Sequence, residues 1–161
     1  MSNRKRQESK EITGAIAGEV ARACLCLHVQ RAARALARHF DDVFRPLDLT
    51  SGQYSLLMSL NRPAPTMGET ARFLAMDRTT LTAALKSLER RGLVAARKGA
   101  EDKRTKRLHL TAAGSALLAE AYPLWCAAHG AIEAAMSSPD AETTRSGLLQ
   151  LTRNLERAAS D

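Results

Sequence analysis

From Lys86 to Arg107 the chain carries nine basic residues (Lys86, Arg90, Arg91, Arg97, Lys98, Lys103, Arg104, Lys106, Arg107) and three acidic ones (Glu89, Glu101, Asp102). That is a net +6 in one short stretch of a protein whose total is +7. Charge gathered this tightly focuses a positive field suited to phosphate oxygens. Just ahead of it, Arg78, Thr79, Thr80, Thr82 and Ala83 lie off the apolar stripe Leu81, Ala84, Leu85 and Leu88. On a helix they would present short polar groups, one methyl and one guanidinium near the N-terminus. An arginine can bond a guanine edge, threonines can meet bases or phosphates, and an alanine methyl fits a thymine methyl. Threonines also cap helices, so the group carries the reading rather than any one residue. Lys86, further along the exposed side, suits a phosphate, which gives affinity and register without sequence information.

A second constellation is Glu101-Asp102-Lys103-Arg104-Thr105. An acid two residues before an arginine can hold that arginine in shape for a narrow, A·T-rich minor groove.

The elements that must position these groups follow from local signals. Glu11 to Phe44 has no proline and reads as one long helix or two joined ones, with Gly14 and Gly18 as weak points. Its apolar residues fall on more than one side, so it needs more than one partner surface. Thr50-Ser51-Gly52-Gln53 and Thr66-Met67-Gly68-Glu69 are capping boxes that open two short helices, separated by the breaker Asn61-Arg62-Pro63-Ala64-Pro65. Asp77 caps the next helix and Gly92 closes it. Leu93 to Arg97 and Lys106 to Leu110 then read as strands of a hairpin with a long basic tip. Thr111 starts a long helix containing Pro123, and Ser138-Pro139-Asp140 starts the last one with proline at the first helical position.

A two-turn helix, a tight turn, a longer helix and a basic hairpin follow the order of a winged helix-turn-helix, whose second helix fits a B-DNA major groove. The expected fold is therefore mainly α with a small β-hairpin wing: a winged helix-turn-helix lobe plus a helical dimerisation lobe. The division is a disordered basic tail at 1–10, helical dimerisation segments at 11–46 and 111–161, and a DNA-binding lobe at 47–110.

Composition sets the outer limits. The 161 residues, 45% hydrophobic and only 4% aromatic, fit one α-rich globular unit or two small lobes sharing a core. No stretch reaches the roughly 18 apolar residues of a membrane span, so no membrane partner and a cytoplasmic location are expected. The three cysteines do not form a disulfide framework. His28, His39, His109 and His129 lack a tight metal-ligand spacing, so no metal is expected. There is no nucleophile–base pair and no phosphate-binding glycine loop, which argues against an enzyme and against a cofactor.

Three segments resemble the MarR family of bacterial transcriptional regulators: Met76-Asp77-Arg78-Thr79-Thr80-Leu81-Thr82, Leu88-Glu89-Arg90-Arg91-Gly92-Leu93-Val94, and Asp102-Lys103-Arg104-Thr105 with Leu110-Thr111-Ala112-Ala113-Gly114. The resemblance implies that Asp102 organises the wing, that Arg104 enters the minor groove, and that a homodimer of the terminal helices binds a pseudo-palindromic operator on double-stranded DNA. It also implies repression relieved by a small, aromatic or phenolic, ligand. Cys26, ahead of Leu49 to Tyr54, resembles the reactive cysteine of the organic-hydroperoxide-sensing branch, with Cys126 as a resolving thiol. Gln30 and Phe40 stand near positions where that branch has tyrosines, which leaves nothing obvious to hydrogen-bond and activate the thiolate. On one continuous helix, Cys24 and Cys26 would lie about 200° apart. A non-specific architectural DNA protein is the remaining alternative, and its binding would follow salt and hardly sequence.

Overall fold

The computed structural model describes residues 13–98 and 106–158; the expected tail at 1–10 lies outside them. The elements are α1 (Gly14–Ala23), α2 (Leu25–Phe44), a 3-10 turn (Arg45–Leu47), α3 (Ser51–Leu60), α4 (Met67–Phe73), α5 (Arg78–Arg90), β1 (Val94–Lys98), β2 (Lys106–Leu110), α6 (Ala112–Ala135) and α7 (Ala141–Ala158). The fold is mostly helical with one antiparallel hairpin, as the sequence predicts. Two compact units divide within α2, one ending at Ala37 and the other running from Arg38 onward.

Of the two expected forms, one long helix or two joined ones, the second is observed, and the break is at Cys24 rather than at a glycine. The Cys24 N–H closes α1 on the Val20 carbonyl, its backbone then extends to ψ 104, and its Sγ accepts the Leu27 N–H at 3.4 Å. Thus Cys24 serves as an N-cap for α2, and a continuous helix through both Cys24 and Cys26 is not what forms.

The core belongs to the second unit. Leu56, Leu57 and Leu60 of α3 pack with Leu81, Leu85 and Leu88 of α5, Leu108 of β2, and Leu118 and Ala121 of α6. Phe44 stacks on Tyr54 at 4.5 Å and fastens the end of α2 to α3. The stripe Leu81, Leu85, Leu88 is 0–3% exposed. Burying each such side chain is worth about 1.5–3 kcal/mol, so this stripe fixes which side of α5 faces water.

Local signals explain the boundaries. Both capping boxes form, with Thr50 on the Gln53 amide and Thr66 on the Glu69 amide, each glutamine or glutamate side chain reaching back to the cap. At the end of α5, Gly92 takes φ 70, its N–H bonds the Glu89 carbonyl, and the Leu93 N–H bonds the Leu88 carbonyl. That closing motif uses Leu93, so β1 starts at Val94, one residue later than expected. β1 and β2 pair in the register Val94↔Leu110 to Lys98↔Lys106, and an isolated bridge joins Thr66 to Arg107.

Thr111 caps α6, which runs on through Pro123 to Ala135. At the start of α7, the Asp140 carboxylate accepts the Thr143 N–H at 2.7 Å. Asp140 is therefore the cap and Pro139 lies one residue before it, not at the first helical position. Asp140 wins because a charged acceptor at a helix N-terminus adds a favourable dipole interaction to the hydrogen bond.

Candidate nucleic-acid interface

The α4–turn–α5 unit is held by backbone geometry. α4 ends in the same closing motif as α5, with Met76 N–H on the Ala71 carbonyl at 2.9 Å and Ala75 N–H on the Arg72 carbonyl at 3.2 Å. Here the left-handed position, φ 50, is filled by Ala75 instead of a glycine. Asp77 follows directly and caps α5: its Oδ1 accepts the Thr80 N–H at 2.8 Å and its Oδ2 accepts the Thr80 hydroxyl at 2.6 Å. Those two bonds, the hydroxyl first, hold the Asp77 carboxyl below its ordinary range.

The outward side of α5 gathers the residues singled out by sequence. Arg78, Thr79, Thr80, Thr82, Ala83 and Lys86 are all exposed, while Leu81, Leu85 and Leu88 are buried behind them. The Thr82 hydroxyl donates to the Arg78 carbonyl at 2.6 Å, and the Thr80 hydroxyl donates to Asp77. In both threonines the hydroxyl proton is already used, which leaves the oxygen with acceptor capacity only. Asp102, Lys103 and Arg104 lie outside the described residues.

The position of α5 depends on a contact that sequence reasoning missed. Arg91, at the C-cap of α5, donates to the Asp48 carbonyl at 2.7 Å and to Gln53 Oε1 at 3.4 Å. Asp48 is a non-glycine residue at φ 50, and its carboxylate lies 3.7 Å from the same guanidinium. Nothing local in sequence joins residues so far apart.

The two cysteines with a proposed redox role are both exposed. Gln30 Nε2 donates to Cys26 Sγ at 3.1 Å, which corrects the expectation that nothing hydrogen-bonds this thiol. An amide one helical turn on takes the place of a phenol. Cys126 lies one turn from Tyr122 on α6, and their hydrogen bond, first among the causes, pushes the Tyr122 phenol up. Burial, with smaller effects of Cys126 and Tyr122, raises nearby Tyr54 to about 12. Trp125 stacks between Tyr122 at 6.1 Å and His129 at 4.4 Å. Among the described residues no cluster of side chains fits a metal ion, and no helix is long and apolar enough to cross a membrane.

A capped, solvent-facing helix behind a short first helix and ahead of a two-stranded wing defines a DNA-binding winged-helix protein. Comparison with known proteins agrees. The MarR family profile matches residues 49–106, which span α3 to the first residue of β2. The HTH-type transcriptional regulator YybA of Bacillus subtilis is 32% identical over 130 residues, covering 78% of this chain and 84% of that one. Among solved structures, the M. tuberculosis transcriptional regulator MosR in complex with DNA is 37% identical with a TM-score of 0.76, covering 84% of this chain and 98% of that one. The transcriptional repressor CouR bound to a 23-mer DNA duplex is 28% identical with a TM-score of 0.68, over 86% of this chain and 96% of that one. The chain belongs to the MarR family and is a transcriptional regulator.

Proposed function

We propose that the protein is a homodimeric, cytoplasmic repressor that holds a pseudo-palindromic operator through two copies of α5 and the wing, and releases it when a small aromatic or phenolic ligand binds. The two-sided character of α5 carries this reading. Its leucines are anchored in the core, and its exposed side offers Arg78, Thr79, Thr80, Thr82 and Ala83 to bases and Lys86 to a phosphate. Lys103 adds a phosphate contact at the wing, where Asp102 orients Arg104 for the minor groove.

A second copy is supported by apolar groups left in water: Leu25 and Leu36 in α2, and Leu148, Leu149 and Leu155 in α7. They favour assigning 11–46 and 111–161 to dimerisation around a DNA-binding lobe at 47–110. Repression follows the likeness to CouR. The half-exposed ring of Tyr122 beside Trp125 and His129 supports an aromatic ligand.

The test is DNA binding by the purified protein to the intergenic region upstream of its own gene, with the mass of the complex measured alongside. Tight, sequence-selective binding of a two-chain species supports the reading. Binding that depends on salt but not on sequence would replace it with an architectural protein.

The Gln30–Cys26 contact favours a second reading, in which a thiol senses organic hydroperoxide. The Cys26 thiolate attacks the peroxide oxygen, giving a sulfenic acid and an alcohol. Attack by a second thiol, assigned to Cys126, then forms a disulfide and releases water. Hydroperoxide treatment should abolish DNA binding by the wild type and leave Cys26→Ser bound. Equal behaviour of the two proteins would exclude this chemistry.

A further inference from the structure

Between α4, the loop before it and β2 lies a cleft of about 520 Å³ lined by Arg62, Pro63, Pro65, Glu69, Arg72, Phe73 and Arg107. Three arginines meet there, and two are braced. Arg62 Nε donates to the Ser59 carbonyl at 3.1 Å while its guanidinium lies 4.2 Å from the Phe73 ring centroid. Arg107 Nη1 donates to the Ala64 carbonyl at 2.9 Å, and the Leu108 N–H donates to the Pro65 carbonyl at 2.8 Å, tying the loop to β2. Each braced guanidinium keeps further N–H donors for a ligand. Glu69 is the one carboxylate among these lining residues, and it is already committed. Its Oε2 accepts the Thr66 N–H at 2.7 Å, and that bond, ahead of the nearby Arg107 and Arg72, holds its carboxyl below the usual range.

The hairpin adds to the imbalance. Arg97 is the register partner of Arg107. Like charges directly opposite on a sheet repel and destabilise the pairing. The Arg97–Arg107 pair, in a hairpin whose Arg107 also lines the three-arginine cleft, calls for an anion that bridges several cations at once. A run of backbone phosphates does so, and the apolar faces of Phe73 and the two prolines suit deoxyribose carbons. The lining comes from the α3–α4 loop, from α4, which opens the helix-turn-helix, and from Arg107 of β2, and none of it from α5.

We propose that Arg62, Arg72 and Arg107 form a clamp for the DNA backbone, separate from the base-reading side of α5 and indifferent to sequence. The proposal rests on the protein being a DNA-binding regulator and adds the place where it grips flanking phosphates.

The experiment measures affinity for a mixed-sequence duplex across a salt series for the wild type, Arg72→Gln, Arg72→Gln/Arg107→Gln and, as control, Arg153→Gln on α7. Each arginine lost from a phosphate should reduce the slope of log K against log salt by about 0.9, with a several-fold loss of affinity at low salt. Arg107→Lys, which keeps the charge, should retain the slope if the hairpin is intact, and preferences among operator variants should be unchanged throughout. Variants whose slope equals the wild type's would overturn the clamp. So would an unchanged slope with inorganic phosphate shifting the Arg72 side-chain resonance, which would assign the cleft to a free oxyanion. A wild type with no affinity for any duplex would instead defeat the regulator reading itself.

Discussion

Arg91 reaches from the C-terminal end of α5 to the carbonyl of Asp48, 2.7 Å away, and so ties that helix to the turn that follows α2. Asp48 is held at φ 50 in that turn, a conformation that a non-glycine residue adopts at a cost of about 1 kcal/mol. The contact thus joins two segments that each depend on the other's placement.

Arg91→Ala should lower stability by about 1 kcal/mol, the low end for a hydrogen bond to a charged group because the site is partly exposed. DNA affinity should fall equally on all sequences, since the whole helix loses its seat rather than one base contact. Thermal unfolding and a panel of operator variants check both parts. A loss confined to certain base pairs would make Arg91 a reading residue.

Ala75→Gly should stabilise the protein by about 0.5–1 kcal/mol, because glycine adopts the observed φ 50 without steric cost. Gly114→Ala should do the opposite and lose at least about 2 kcal/mol. A Cβ there would lie 2.1 Å from the Leu93 carbonyl oxygen, and neither backbone can give way easily. Gly130→Ala, in the same helix with nothing within 4 Å, is the control and should gain a few tenths of a kcal/mol. Equal melting temperatures for the Gly114 and Gly130 variants would contradict the packing of α6 on the wing.

The Asp77 cap gives a pH dependence whose sign is fixed. Its carboxyl is held below the ordinary value by the Thr80 hydroxyl and amide, so the folded state favours the charged form. That stabilisation is complete above the unfolded pKa of about 4 and is lost as pH falls through the lower, folded value. Asp77→Ser keeps a neutral cap. The melting-temperature advantage of the wild type over this variant should therefore shrink as the pH falls below about 4. A constant difference would show that the charge plays no part.

Arg78→Ala should relax preference at particular base pairs, by about 1–3 kcal/mol at the affected position, while Lys86→Ala should weaken all sequences alike. Arg104→Ala should reduce both affinity and salt dependence. Binding profiles over a randomised operator distinguish these outcomes, and a uniform loss with Arg78→Ala would make it a phosphate contact.

What could be read from sequence was local. The boxes at Thr50/Gln53 and Thr66/Glu69, the caps at Asp77 and Thr111 and the glycine stop at Gly92 each depend on residues within about one turn, and all form. The outward side of α5 was legible because Leu81, Leu85 and Leu88 leave no choice of buried side. The Cys24 break was not, because cysteine carries no strong capping signal and the glycines nearby looked weaker. Arg91–Asp48 and the Thr66↔Arg107 bridge were hidden for a different reason. They join distant segments, and only the folded chain brings them together.

α6 holds 24 residues, about 36 Å of helix at 1.5 Å per residue. At one end the Thr111 hydroxyl donates to the Gly92 carbonyl at 2.6 Å and Gly114 sits against Leu93, where α5 hands over to the hairpin. At the other end Glu133 pairs with Arg145 of α7 and lies 3.7 Å from His129. A rod pivoted at Gly114 converts a displacement of about 3 Å at its far end into about 5° at the pivot. With Gly114 seated on Leu93, any tilt of α6 would be felt first at the junction between α5 and the hairpin.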